Sequence, residues 1–181
     1  RDEKGRVPLH RAGLNGHYDA AKLLIDASEK HYKEKGYWKE ITSTLLPSFA
    51  LPTFSSFSRK LGNIWDVSKA SCGGVAAQDN DGDTPLHLAS GAGHDQVVEL
   101  LVSNGSSTNA LSNLRPTPLH FAILKKRHEI VKFLVENGSD PEIFNSDGKN
   151  AYDYALEEGD LELIRALNSK YSKRDELKAS A

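Results

Sequence analysis

Thr84-Pro85-Leu86-His87-Leu88-Ala89 returns 33 residues later as Thr117-Pro118-Leu119-His120-Phe121-Ala122. The same phase catches Asn150-Ala151-Tyr152-Asp153-Tyr154-Ala155 downstream and Val7-Pro8-Leu9-His10-Arg11-Ala12 upstream. A chain that repeats itself at this period need not have a single central core. Each unit buries its apolar face on its neighbours, so stability is roughly a sum of local terms.

Within one period the punctuation is that of a hairpin tip and two short helices. In the cleanest copy, Asp79-Asn80-Asp81-Gly82-Asp83 reads as the tip, because Gly82 tolerates positive φ and Asp and Asn side chains brace turns. Thr84 is a natural N-cap, and Pro85 suits the first helical position, where its missing N–H is no loss. A first helix is expected from Pro85 to about Ala92, then a turn at Gly93-His94. A second helix follows from about Asp95 to Ser103, closed by Asn104-Gly105. Val97, Val98, Leu100 and Leu101 form its expected buried face. The same positions hold Ile130, Val131, Phe133 and Leu134 in the next copy and Leu163, Ile164, Ala166 and Leu167 in the last. Arg115-Pro116 stands where the other tips carry glycine, so that tip is expected to be remodelled. Arginine is strained at positive φ, and a residue before proline prefers extended backbone.

The T-P-L-H-x-A hexapeptide, in one register with matching flanks, resembles the ankyrin repeat, and the resemblance covers nearly the whole chain. It implies an all-α ankyrin-repeat solenoid of stacked helix-turn-helix units with hairpin tips, interrupted by a divergent repeat or insertion after the first repeat. The expected units are residues 2–28, 79–111, 112–144 and 145–169, with a divergent or inserted stretch at 29–78 and a polar tail at 170–181. In the family the motif histidine hydrogen-bonds the loop backbone between units. His10, His87 and His120 are therefore expected to be structural, and His17 and His94 likewise.

The middle of the chain admits two readings. Thr84 follows Val7 by 77 residues, which is no multiple of 33. Either an insertion of 44 residues (77 less 33) separates neighbouring repeats, or a divergent repeat intervenes with 11 extra residues (77 less 66). Pro52 in phase with Pro85, and Ile64-Trp65 in phase with Val97-Val98, favour a disguised repeat. Phe54 in place of the histidine, and Lys60-Leu61 in place of Gly-His, favour an insertion. Residues 31–66 also hold half of the 14 aromatics, which form either a local satellite core or docking anchors such as Trp38. A junction of this kind is expected to break repeat-to-repeat packing and to leave the first repeat the least stable.

Chemistry finds little support in the residues. Asp79-x-Asp81-Gly82-Asp83 is no EF-hand, since the glycine comes too early and Ser90 stands where the twelfth-position glutamate should be. Cys72-Gly73-Gly74 lacks a histidine that is not already explained. No catalytic residue, cofactor site or metal site is expected. The formal charge of −2 gives no argument for nucleic acid or an anionic membrane, and no small-molecule substrate is implied. Lys125-Lys126-Arg127 is too short a basic run for nucleic acid. A single cysteine fits a reducing compartment, so an intracellular location is expected: cytoplasm, nucleus, or host cytosol for a pathogen protein. The start at Arg1 and the lack of methionine suggest a piece of a longer protein.

What remains is recognition of a partner protein, as a scaffold or adaptor or as the regulatory segment of a larger enzyme, channel or secreted effector. In the resembled family partners usually dock on the concave face, made of the tips and the exposed side of the first helix of each unit. Carried over by register, that face offers Leu14, Asn80, Asp81, Asp83, Leu111, Asn113, Leu114, Leu124, Lys125, Phe144, Asp147 and Lys149. The tip at 79–83 is acidic, whereas Leu111, Leu114, Leu124 and Phe144 place apolar side chains where solvent is expected, the mark of a contact patch.

Overall fold

The computed structural model describes residues 1–34 and 74–168, with side chains from 29 to 34 left aside. Trp38, Cys72, most of the aromatic stretch and the tail at 170–181 lie outside the described residues.

Eight helices and no strand occur among the described residues. They are α1 (Pro8–Asn15), α2 (Tyr18–Glu34), α3 (Pro85–Ala92), α4 (Asp95–Ser103), α5 (Pro118–Leu124), α6 (His128–Glu136), α7 (Ala151–Glu157) and α8 (Leu161–Leu167). Each odd-numbered helix pairs with the even-numbered one that follows, and each pair stacks on the next. Proline opens α1, α3 and α5 at a position where no intrahelical N–H is needed.

The first repeat stacks directly on the α3–α4 repeat, and no repeat lies between them. Helix α1 packs on α3 as intimately as α3 packs on α5. Gly13 of α1 comes so close to α3 that a Cβ there would lie 2.9 Å from the Pro85 carbonyl oxygen. The expected break in packing at this junction is therefore absent on the α1 side. Helix α2 also runs on to Glu34, past the boundary at residue 28 read from the repeat length.

The core is a column of equivalent side chains. Leu9, Leu86 and Leu119 are at most 1% exposed, and Ala12, Ala89, Ala122 and Ala155 at most 5%. The small alanine lets neighbouring first helices approach, and leucine fills the space between layers. In the second helices the buried sets are Val97, Val98, Leu101 and Val102, then Ile130, Val131, Leu134 and Val135. Leu100 and Phe133, expected inside, only lean on the core, and Leu23 at the same register is 69% exposed. The position at 23, 100 and 133 therefore lies at the edge of the buried stripe, exposed in the first repeat and half-buried in the next two.

The tips form a second column, bound by backbone. Asn80 N–H donates to Lys4 O at 2.9 Å, Asn113 N–H to Asp81 O at 3.0 Å, and Ser146 N–H to Leu114 O at 2.9 Å. Within three of the four tips an Asp or Asn side chain gathers two N–H groups. Asp2 takes those of Lys4 and Arg6, Asp79 those of Asp81 and Asp83, and Asn145 those of Asp147 and Lys149. This leaves almost no room beside Gly82 (φ 78°), where a Cβ would lie 2.7 Å from the Asn113 backbone nitrogen, whereas Gly148 (φ 71°) faces open space.

That contrast makes a stability prediction. Gly148→Ala pays only the left-handed backbone penalty of about 1 kcal/mol, while Gly82→Ala adds a steric clash and exceeds it by about 1 kcal/mol or more. Urea midpoints of the two variants check this, and equal losses would contradict it.

Candidate functional site

The three motif histidines are fully buried polar groups, and geometry shows how they are used. Val7 N–H donates to His10 Nδ1 at 3.2 Å, Thr84 N–H to His87 Nδ1 at 3.1 Å, and Thr117 N–H to His120 Nδ1 at 3.1 Å. With Nδ1 accepting, the ring proton sits on Nε2. That proton is donated forward, from His10 to Asp83 O at 2.8 Å, from His87 to Pro116 O at 3.2 Å and from His120 to Lys149 O at 3.3 Å. Each ring thus closes a helix start within its own unit and clamps the tip of the next. The expected structural role of these residues is what the structure shows. The column ends at Asp153, whose carboxylate accepts Asn150 N–H at 2.8 Å and has no N–H to send forward.

The turns between paired helices are held in the same way. His94 Nε2 donates to Leu14 O at 3.0 Å, and His128 Nε2 meets Asp160 Oδ2 at 2.8 Å. Asp160 also caps α8 through Glu162 N–H and Leu163 N–H, and the His128 hydrogen bond, with these cap bonds, holds its carboxyl below the usual range against its desolvation. Among the described residues no cluster of His, Cys, Asp or Glu has the arrangement of a metal site. No helix among them is long and apolar enough to cross a membrane.

The face made of the tips and the outward side of α1, α3, α5 and α7 receives the sequence-derived candidates unevenly. Leu114 is 70% exposed, Leu124 and Phe144 are 53% exposed, and Leu14 and Leu111 are 37% exposed. Leu111 and Phe144 are thus not enclosed within the hairpin stack. Lys125, Asp81 and Asp147 are exposed as well. Asn80 and Asn113 are exposed at their edges but committed to the stack, since their amides donate to Glu3 O and Asn80 O. Lys149 is half-buried, paired with Glu157 at 2.7 Å and lying 5.5 Å over the Tyr154 ring.

Asp83 corrects an expectation. It was placed on the solvent side of its tip but is 9% exposed. Its backbone carbonyl holds His10, so the residue is drawn inward. Burial, with Asp79 and Asp81 nearby, raises its carboxyl pKa from 3.8 to about 6, against a hydrogen bond from Ser112. A residue fixed in this way is part of the stack rather than of a docking surface.

The tip at 112–116 is a second correction. It is not remodelled. Arg115 takes φ 66°, matching Gly5 at 71°, Gly82 at 78° and Gly148 at 71°. Its N–H donates to Ser112 O at 2.9 Å, as the glycines do in their own tips. The column of tip-to-tip bonds outweighs the local preference of arginine. Lys126 is similarly strained at φ 54°, at a position where Gly16, Gly93 and Gly159 stand in the other units. These are the two non-glycine positive-φ residues among the described residues, and both belong to the α5–α6 repeat. The repeat register marked Arg115 and could equally have marked Lys126, because each replaces a glycine on a register where glycine recurs.

Two family models match. One, described as ankyrin repeats (many copies), covers residues 101–155, and one described as ankyrin repeat covers residues 81–113. The α1–α2 unit lies outside both matches yet makes the same histidine and tip bonds. No curated protein matches the chain.

Two predictions arise here. Burial lowers the pKa of His10 and His120, and takes His87 from 6.5 to about 4. The fold therefore binds these rings neutral, and their stabilisation is complete above 6.5 and is lost as pH falls toward about 4. Asp83 opposes them, because its raised pKa makes stability fall as pH rises from 3.8 to about 6. Asp83→Asn is expected to raise the urea midpoint at pH 7 and to steepen its fall on acidification. Parallel wild-type and variant curves would contradict this. Separately, Arg115→Gly relieves a left-handed residue and is expected to stabilise by about 1 kcal/mol, read from the same urea titration at neutral pH.

Proposed function

Because this chain is an ankyrin-repeat protein, we propose that it docks a partner protein on the tip-and-first-helix face, centred on the α5–α6 repeat. Ankyrin repeats are protein–protein interaction modules, and the finer reading concerns which surface acts and in what role. The observation that carries it is the exposure of Leu114, Leu124 and Phe144 on one face. Leu114 stands where flanking tips have Asp81 and Asp147, and Leu124 where flanking helices have Gly91 and Glu157. Solvent-facing positions that are polar or small in both neighbours have become large and apolar in one unit. An apolar centre with a charged rim is the common layout of an interface.

Exposure alone does not select this face, since Leu23 and Leu161 on second helices are 69% and 68% exposed. Clustering does: three exposed apolar side chains share this face across two adjacent tips and one helix. A rigid stacked scaffold offering a few apolar anchors fits a scaffold or adaptor in an intracellular compartment, without chemistry of its own. Nucleic acid, membrane and small-molecule substrates have no part in this reading.

The test is a quantitative pull-down from lysate with wild type, with Leu114→Asp/Leu124→Asp, and with Leu23→Asp as a control on another surface. Circular dichroism establishes equal folding. Capture lost about tenfold or more by the double variant and kept by Leu23→Asp is the expected result. Capture that survives the double variant moves recognition off this face.

A further inference from the structure

We propose that the occupant of this face is a linear segment of the partner that is both apolar and acidic. Its apolar side chains seat on Leu114, Leu124 and Phe144, and its carboxylates meet Arg115 and Lys125. This rests on the docking face proposed above and adds the chemistry of what it receives.

The argument starts from how charges on this face are used. In the first repeat Asp2 pairs with Arg6 at 3.0 Å and with Arg11 at 3.2 Å. In the last, Glu157 pairs with Lys149 at 2.7 Å and Glu158 with Lys126 at 2.7 Å. Those three carboxylates are thereby committed within the fold, while Asp81 and Asp147 stay exposed at their tips. Arg115 and Lys125 are exposed and make no ion pair among the described residues. Two cations without partners thus flank the exposed leucines, in the same repeat.

Backbone strain points to the same place. An L residue in the left-handed region costs about 1–2 kcal/mol, and glycine would avoid it. The other described tips use glycine, but this one holds arginine at φ 66°. Such strain persists only where surrounding structure imposes it, and it concentrates at ligand-contacting positions. At the crest of a tip whose neighbouring residue is Leu114, the strained residue is the one carrying a guanidinium, which recognises carboxylates with two parallel bonds.

Flanking charges set where the acidic residues go. Asp81 and Asp147 occupy the Leu114 register in the adjacent tips and are exposed. They repel an acidic segment that strays along the tip row and confine its carboxylates to the third repeat, beside Arg115 and the end of α5. Specificity of this kind comes from repulsion as much as from attraction.

A random-peptide display library panned against the whole 181-residue chain tests the proposal. Enriched peptides are then titrated by fluorescence anisotropy against wild type, Leu114→Asp/Leu124→Asp and Arg115→Glu/Lys125→Glu, each checked for folding by circular dichroism. The expected peptides carry Asp or Glu beside apolar residues. They bind about tenfold more weakly to the charge-reversed variant, about 1.4 kcal/mol shared between two pairs, and more weakly as salt is raised. Enriched peptides that are neutral or basic, or affinity unchanged in Arg115→Glu/Lys125→Glu, overturn the acidic chemistry while leaving the face intact. Peptides indifferent to Leu114→Asp/Leu124→Asp overturn the face itself, and the inference with it. Absence of enrichment overturns a linear segment as the occupant.

Discussion

Every layer of this fold depends on one side chain used twice. The motif histidine takes a backbone N–H on one ring nitrogen and gives its single proton to a backbone carbonyl of the next unit with the other. A buried carbonyl or N–H without a partner costs about 1–3 kcal/mol, so the ring is the cheapest way to satisfy a helix start and a tip together. Only the neutral ring can do this. A protonated imidazole has no acceptor, and burial has already biased the ring against charge. The column of leucines and alanines supplies most of the attraction, but it is non-directional. The histidines set the register at which one unit meets the next.

The same logic explains how the stack continues and where its histidine bonds stop. Across the junction between the first repeat and α3, His10 reaches Asp83 as His87 reaches Pro116. The extra chain length between these units therefore leaves their interface unaltered. In the α7–α8 unit Asp153 satisfies its own helix start and, its carboxylate lacking an N–H, sends no bond forward as the histidines do.

Against this regularity the α5–α6 repeat is the exception, and its departures coincide. It holds the two strained non-glycine residues among those described, two exposed cations outside any ion pair and two exposed leucines. A stacked scaffold can carry such a cluster because each repeat draws its stability from neighbours as well as from itself.

The sequence by itself determined the architecture. Period, proline and glycine punctuation and the leucine, alanine and histidine positions are local signals that repeat, and repetition makes weak local preferences decisive. It also marked Leu114, Leu124 and Phe144 as solvent-facing, because register transfers exposure from one unit to the next. Tertiary structure alone decided the direct contact of α1 with α3, since an offset of 77 residues fits two connectivities and only packing separates them. It decided that Arg115 keeps the left-handed tip, because bonds from neighbouring tips outweigh a local preference that sequence reading weighs alone. It decided too that Asp83 turns inward while Leu23 is exposed and Leu100 and Phe133 sit only half-buried at the core's edge. The physical reason is common to all of these: a side chain's surroundings in a stack are supplied by the next repeat, whose placement no single repeat encodes.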